Sequence, residues 1–181
     1  MTEKKGNEQT ETVKHEVRIL QIGDLAVYPA HGVGRIESIE SRVVNGETHD
    51  FYIMKVFENN MVIMIPIRNI EAVGLRELVS EEDIPSVYEV IKTRPEPTIE
   101  NQTWNRRHKE YMDKIKTGSL YYVAEVFRDL YLIKLIKDLS FGERKLYDTA
   151  QGLLLKELSI AKSTEEETIL TEIESLFILP D

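Results

Sequence analysis

Two prolines within three residues, in Thr93-Arg94-Pro95-Glu96-Pro97, constrain this chain more than any other feature. Proline lacks the amide that a helix or an inner strand needs, and it pushes its predecessor toward extended backbone. No regular element is expected to run through this tract. It divides 181 residues into two parts of different texture, each large enough for one small core.

Upstream, the texture is β. Short runs rich in Val, Ile, Tyr and Phe occupy Asp24–Tyr28, Gly34–Val44, Thr48–Phe57 and Met61–Ile67, with a shorter one at Ile70–Val73. They are separated by Pro29-Ala30-His31-Gly32, by Asn45-Gly46 and by Asn59-Asn60. Asn-Gly accepts positive φ at both central positions and is a strong hairpin signal. About five short antiparallel strands are expected, curled into a small SH3-like or Tudor-like barrel, because a flat sheet of that size would leave one apolar face wet. After Gly74 the pattern turns helical. Ser80-Glu81-Glu82-Asp83 resembles a capping box ahead of Ile84, Val87, Tyr88 and Ile91.

Downstream, the spacing predicts four helices. The first covers about Thr103–Lys116. The second runs from Ser119 to about Asp138, with Val123, Phe127, Leu130, Ile133 and Leu135 or Ile136 inward. The third opens on the capping box Ser140-Phe141-Gly142-Glu143, and the fourth on Ser163-Thr164-Glu165-Glu166. Short connections make this a compact all-α bundle. The expected fold is therefore α+β in two domains: a polar tail at 1–16, a β domain at 17–78, a helix and proline linker at 79–100, and a helical domain at 101–179.

Little in the sequence supports catalysis. The chain has no cysteine, so neither a disulfide nor a thiolate metal site can form, which fits a cytoplasmic protein. The polar N-terminal segment does not read as a signal peptide, and no apolar run is long enough to span a bilayer. Gly32-Val33-Gly34 lacks the Lys and Ser/Thr of a phosphate loop. His15, His31, His49 and His108 form no zinc spacing. A metal enzyme would need His31, His49 and Asp50 to converge. No metal, cofactor or enzymatic activity is expected.

Charge is distributed unevenly. The net charge is −9, yet residues 101–162 carry 12 basic and 8 acidic side chains, while residues 163–181 carry 6 acidic and no basic ones. Local field decides whether a surface attracts phosphate. Within the basic block stands Thr103-Trp104-Asn105-Arg106-Arg107-His108-Lys109, where the only tryptophan opens a helix beside three cations. Such an indole can wedge against a base pair while Arg106, Arg107 and Lys109 hold phosphates. It can equally be a core anchor of the bundle, with the cations merely solvated. In the β half, Arg42, Val43 and Val44 approach the Asn45-Gly46 tip on what could be an edge strand, a template for pairing with a partner.

Val27-Tyr28-Pro29-Ala30-His31-Gly32-Val33-Gly34-Arg35-Ile36, followed by Phe51–Val56 and Met64–Asn69, resembles the polymerase-interacting domain shared by CarD/CdnL proteins and the transcription-repair coupling factor. Thr103–Lys109, Val123–Leu130 and Leu139–Lys145 resemble the C-terminal domain of CarD/CdnL. The resemblance covers about residues 20–178 and includes no ATPase motif. It implies a bacterial, non-catalytic transcription regulator whose β domain binds the RNA polymerase β subunit strand to strand, through Arg42, Val43 and Val44. It also implies that Trp104 wedges into promoter DNA at the upstream edge of the open bubble, with Arg106, Arg107 and Lys109 on phosphates. A monomer, nucleoid-associated through polymerase, is the expected state. Met64 stands where some members carry a basic residue, which puts a contact there in doubt. The rival reading is a protein–protein adaptor of the same fold, with no direct DNA contact.

Overall fold

The computed structural model describes residues 19–94 and 103–178. The polar segment 1–16 and the proline pair of the linker lie outside the described residues. The β half is one curled antiparallel sheet of four strands in sequence order: β1 (Leu25–Tyr28), β2 (Gly32–Val44), β3 (Glu47–Val56) and β4 (Val62–Pro66). Asn45 (φ 53°) and Gly46 (φ 82°) close the β2–β3 hairpin, with Val44 opposite Glu47. Both φ values are positive, as the Asn-Gly signal demanded. The register slips between Ile36 and Ser38, so Glu37 is an extra residue that bends β2. The bend wraps the sheet around Ala26, Ile36, Tyr52, Met54 and Ile65, all at most 1% exposed.

The expected fifth strand is absent among the described residues. Ile67–Asn69 is a 3-10 turn and Ile70–Val73 a single helical turn, α1. Four residues are too few for periodicity to separate strand from helix. Gly74, in the left-handed region, ends α1.

Five helices follow: α2 (Ile84–Lys92), α3 (Trp104–Lys116), α4 (Leu120–Ile136), α5 (Phe141–Ala161) and α6 (Glu166–Ser175). One apolar core joins them, centred on Val87, Ile91, Phe127, Leu130, Leu154, Leu158 and Ile173. Burying each Leu, Ile or Phe contributes about 1.5–3 kcal/mol. Helix α2, grouped with the linker by sequence, buries Ile84, Val87 and Ile91 in this core. It is tied down further by Arg128 of α4, which donates to the Val90 carbonyl at 3.0 Å and pairs with Asp129 at 2.8 Å. Burial pushes the Asp129 carboxyl above its ordinary range, against the pull of Arg128.

The two halves interlock. Arg76, leaving the β half, forms a bidentate pair with Glu157 of α5, at 2.6 and 2.9 Å, and donates from Nε to the Gly118 carbonyl at 2.8 Å. Glu157, 3% exposed, also accepts the Val79 amide. Pro29 sits between Gly74 and Gly118, where a Cβ at 118 would lie 2.9 Å from its Cγ. Both glycines also have positive φ, so neither position accepts a side chain easily. No helix among the described residues is long and apolar enough to cross a membrane.

Candidate functional site

The first candidate surface follows from strand lengths. Strand β1 pairs with β2 only from Gly32 to Arg35, and β4 pairs with β3 only from Phe51 to Lys55. The hairpin beyond, Glu40–Val44 with Glu47–Asp50, is a two-stranded ribbon with no neighbouring strand along either edge among the described residues. Its backbone donors and acceptors are free to template another strand. Val43 is 71% exposed and Val44 43%. Arg42 is exposed and reaches Glu40 at 2.7 Å. Ser41 donates to Asp50 at 2.5 Å and His49 lies 3.7 Å from Glu47, so the polar residues brace the ribbon among themselves. The three residues singled out by sequence thus lie together at one tip.

The second surface lies where α3 begins, against the start of α5. Trp104 is partly buried and packs on the edge of the helical core. A Cβ at Gly142 would lie 2.9 Å from the indole Cζ2, so the ring rests on bare backbone. The Arg107 guanidinium lies 5.5 Å from the indole centroid and His108 meets the ring edge-on at 5.4 Å. Arg107 does not reach outward. It is 16% exposed and donates from Nη2 to Oε1 of Glu143, which is 3% exposed, at 3.1 Å. Glu143 is held by its own cap: it accepts the Ser140 amide at 2.9 Å while Ser140 Oγ accepts the Glu143 amide at 3.3 Å. Burial alone would raise the Glu143 carboxyl, but the Ser140 hydrogen bonds, with Lys137 and Arg107, draw it below its ordinary value.

Arg106 and Lys109 are exposed, Arg106 with its Nε 3.3 Å from Glu110. The four cation and indole positions read from sequence therefore divide. Arg106 and Lys109 face water, Trp104 is half in, and Arg107 is turned to the protein. Sequence reasoning missed Phe141. It is 88% exposed, precedes the glycine under the indole, and shares a helix face with exposed Lys145. A phenylalanine at the first position of a capped helix, outside the apolar stripe, was the available signal. Leu135 and Ile136, one of which was expected inward, are 59% and 87% exposed. They lie past the last buried turn of α4, where Leu139 of the following loop enters the core instead. In sequence these exposed apolar residues are flanked by Lys137, Arg144 and Lys145, all exposed.

A third constellation does not assemble. His31 precedes β2 and His49 pairs with its far end at Arg42, about 30 Å away at strand rise. Among the described residues no group of three or more His, Asp or Glu could hold a metal ion.

Two family models cover these two halves. The CarD-like/TRCF RID domain matches residues 20–79, and the CarD C-terminal domain matches residues 86–174. YdeB of Bacillus subtilis (strain 168), which carries a transcription-factor name, is 34% identical over 151 residues, spanning 83% of this chain and 97% of that protein. The solution structure of the 72-residue N-terminal domain of Myxococcus xanthus CarD is 36% identical, over 32% of this chain and 77% of that one, with a TM-score of 0.29. The CdnL N-terminal domain from the same organism is 48% identical, over 38% and 97%, with a TM-score of 0.32. With both halves matched in order and one relative covered almost end to end, the chain belongs to the CarD/CdnL family of transcription regulators, and its β half is the RNA polymerase-interacting domain shared with the transcription-repair coupling factor.

Proposed function

We propose that this regulator anchors to the β subunit of RNA polymerase through the open ribbon at Arg42–Val44 and stabilises the promoter open complex by touching DNA at the upstream edge of the bubble. Trp104 and Phe141 would press on the exposed base step while Arg106, Lys109 and Lys145 approach phosphates. The observation that carries this reading is the patch at the head of α3: a partly exposed indole resting on Gly142, exposed Arg106 and Lys109 on the same helix, and an 88% exposed Phe141 next in sequence to that glycine, in a chain whose net charge is −9. The adaptor reading asks for the indole inside the bundle, where it would leave no such patch.

The physics is a shift of an existing equilibrium. A protein that touches DNA better when the fork is open favours the open state by its differential affinity alone. Anchoring on polymerase raises the local concentration at the fork, so weak DNA contact suffices. Stacking an aromatic on a base supplies about 1–3 kcal/mol. Phosphate and minor-groove contacts carry little base information, so sequence preference is weak. The acidic β half and α6 disfavour free DNA, which keeps action dependent on polymerase in the cytoplasm. Trp104→Ala is expected to shorten the open-complex lifetime by roughly five- to a hundredfold, with β-lobe binding intact. Arg42→Glu is expected to abolish capture of the β lobe. An unchanged lifetime with Trp104→Ala sinks the DNA half of the reading, and retained capture with Arg42→Glu moves the anchor elsewhere.

A further inference from the structure

Arg107 presents a conflict. Its place beside Trp104 in a basic turn suggests a phosphate ligand, yet its side chain is 16% exposed and its cation is already spent on Glu143. A second oddity is that its buried Nε has no hydrogen-bond partner among the described residues. A guanidinium is rarely left this way when it can swing to water. What holds it is a plane and a charge. The indole of Trp104 lies over its Cζ at 5.5 Å, and the Glu143 carboxylate receives its Nη2 at 3.1 Å. Glu143 cannot follow Arg107 outward, because both carboxylate oxygens are committed: Oε2 to the Ser140 amide at 2.9 Å, and Oε1 to Arg107, with Lys137 at 3.6 Å. The indole also meets the Gly142 backbone, where even a methyl group would collide with its Cζ2 at 2.9 Å.

We infer that Arg107 and Glu143 are positioning residues that clamp the Trp104 indole against Gly142 at a fixed angle, and that Arg107 is not a phosphate ligand. The capping box at the head of α5 thereby does two jobs: it starts the helix and anchors the support of the indole. Fixing the ring before it meets DNA removes an ordering cost that a loose side chain would meet on binding. This inference deepens the proposed DNA contact and rests on it for its functional consequence, but the clamp itself can be read in the free protein.

The single tryptophan makes the test direct. Arg107→Lys keeps the charge but loses the flat guanidinium that stacks and forks. Glu143→Gln keeps the helix cap, since Gln serves at that position as well as Glu, but removes the charge that holds Arg107. In the free full-length protein, both variants are expected to lower the fluorescence anisotropy of Trp104 and to raise its quenching by acrylamide about twofold. In the polymerase complex, both are expected to shorten the open-complex lifetime by roughly two- to tenfold, less than Trp104→Ala does. Unchanged anisotropy and quenching in both variants overturn the clamp. A shortened lifetime with an unmoved indole in Arg107→Lys also overturns it, because it assigns Arg107 a contact of its own. A loosened indole with an unchanged lifetime supports the clamp and removes the DNA contact of the proposed function instead.

Discussion

At the scale of single residues, the site depends on a missing side chain. Gly142 lies in the first turn of α5, where alanine is the better helix former by up to about 1 kcal/mol, so packing rather than conformation accounts for its glycine. Its backbone is the floor under the indole. Gly142→Ala should therefore displace the indole, seen as a shift in Trp104 emission and a shortened open complex, while its gain in helix propensity offsets the lost indole packing and leaves the unfolding midpoint in urea about unchanged. A shortened open complex at unchanged stability would mark the close contact as functional. Sequence alone placed Trp104 at the head of a helix with cations near it. It did not divide those cations into two facing water and one turned inward. That division depends on Glu143, 36 residues away, whose role in sequence is only that of a helix cap.

At the scale of elements, local chemistry was readable where it acts locally. The Asn45-Gly46 turn and the Ser140–Glu143 capping box form as their residue types demand. Ser163-Thr164-Glu165-Glu166 carries the same pattern, but Ser163 does not cap α6, whose N-cap is Glu165. Ser163 instead ends α5. Its φ is 51°, its amide donates to the Ile160 carbonyl and the Thr164 amide to that of Ser159, the paired bonds of a Schellman motif. With only four residues between the helices, Ser163 closes the first and is not free to open the second. The two serines should thus respond oppositely. Ser140→Ala is expected to cost about 1 kcal/mol in urea unfolding. Ser163→Gly is expected to stabilise by up to about 1 kcal/mol, because glycine accepts the left-handed region without strain. The fifth strand failed for a related reason: Ile70–Val73 carries strand-forming residues, but Gly74 closes them into a helical turn.

At the scale of the whole molecule, the β and helical halves are tied by Arg76 and Glu157 and by Pro29 lodged between two glycines. The sequence revealed two textures but not this joint, since its partners stand 81 residues apart and each has an ordinary surface identity. Glu157→Gln preserves shape but removes the charge that receives Arg76, at a cost of about 2 kcal/mol. The expected result is a broader spread of orientations between the halves in small-angle scattering and residual dipolar couplings. β-lobe binding should be retained, because the hairpin tip lies far from the joint, and the open-complex lifetime should fall. Unchanged scattering and lifetime would show the pair to be one contact among many.

The seat of Pro29 between Gly74 and Gly118 gives the regulator the character of a caliper. On the proposed function, one jaw would close on polymerase and the other would meet the duplex at a single reach. A melted junction shifted by one nucleotide step, roughly 3.4 Å along the strand, would then fall outside that reach. A joint this closely packed would resist the flexing needed to recover it, so promoters would be sorted by where they melt.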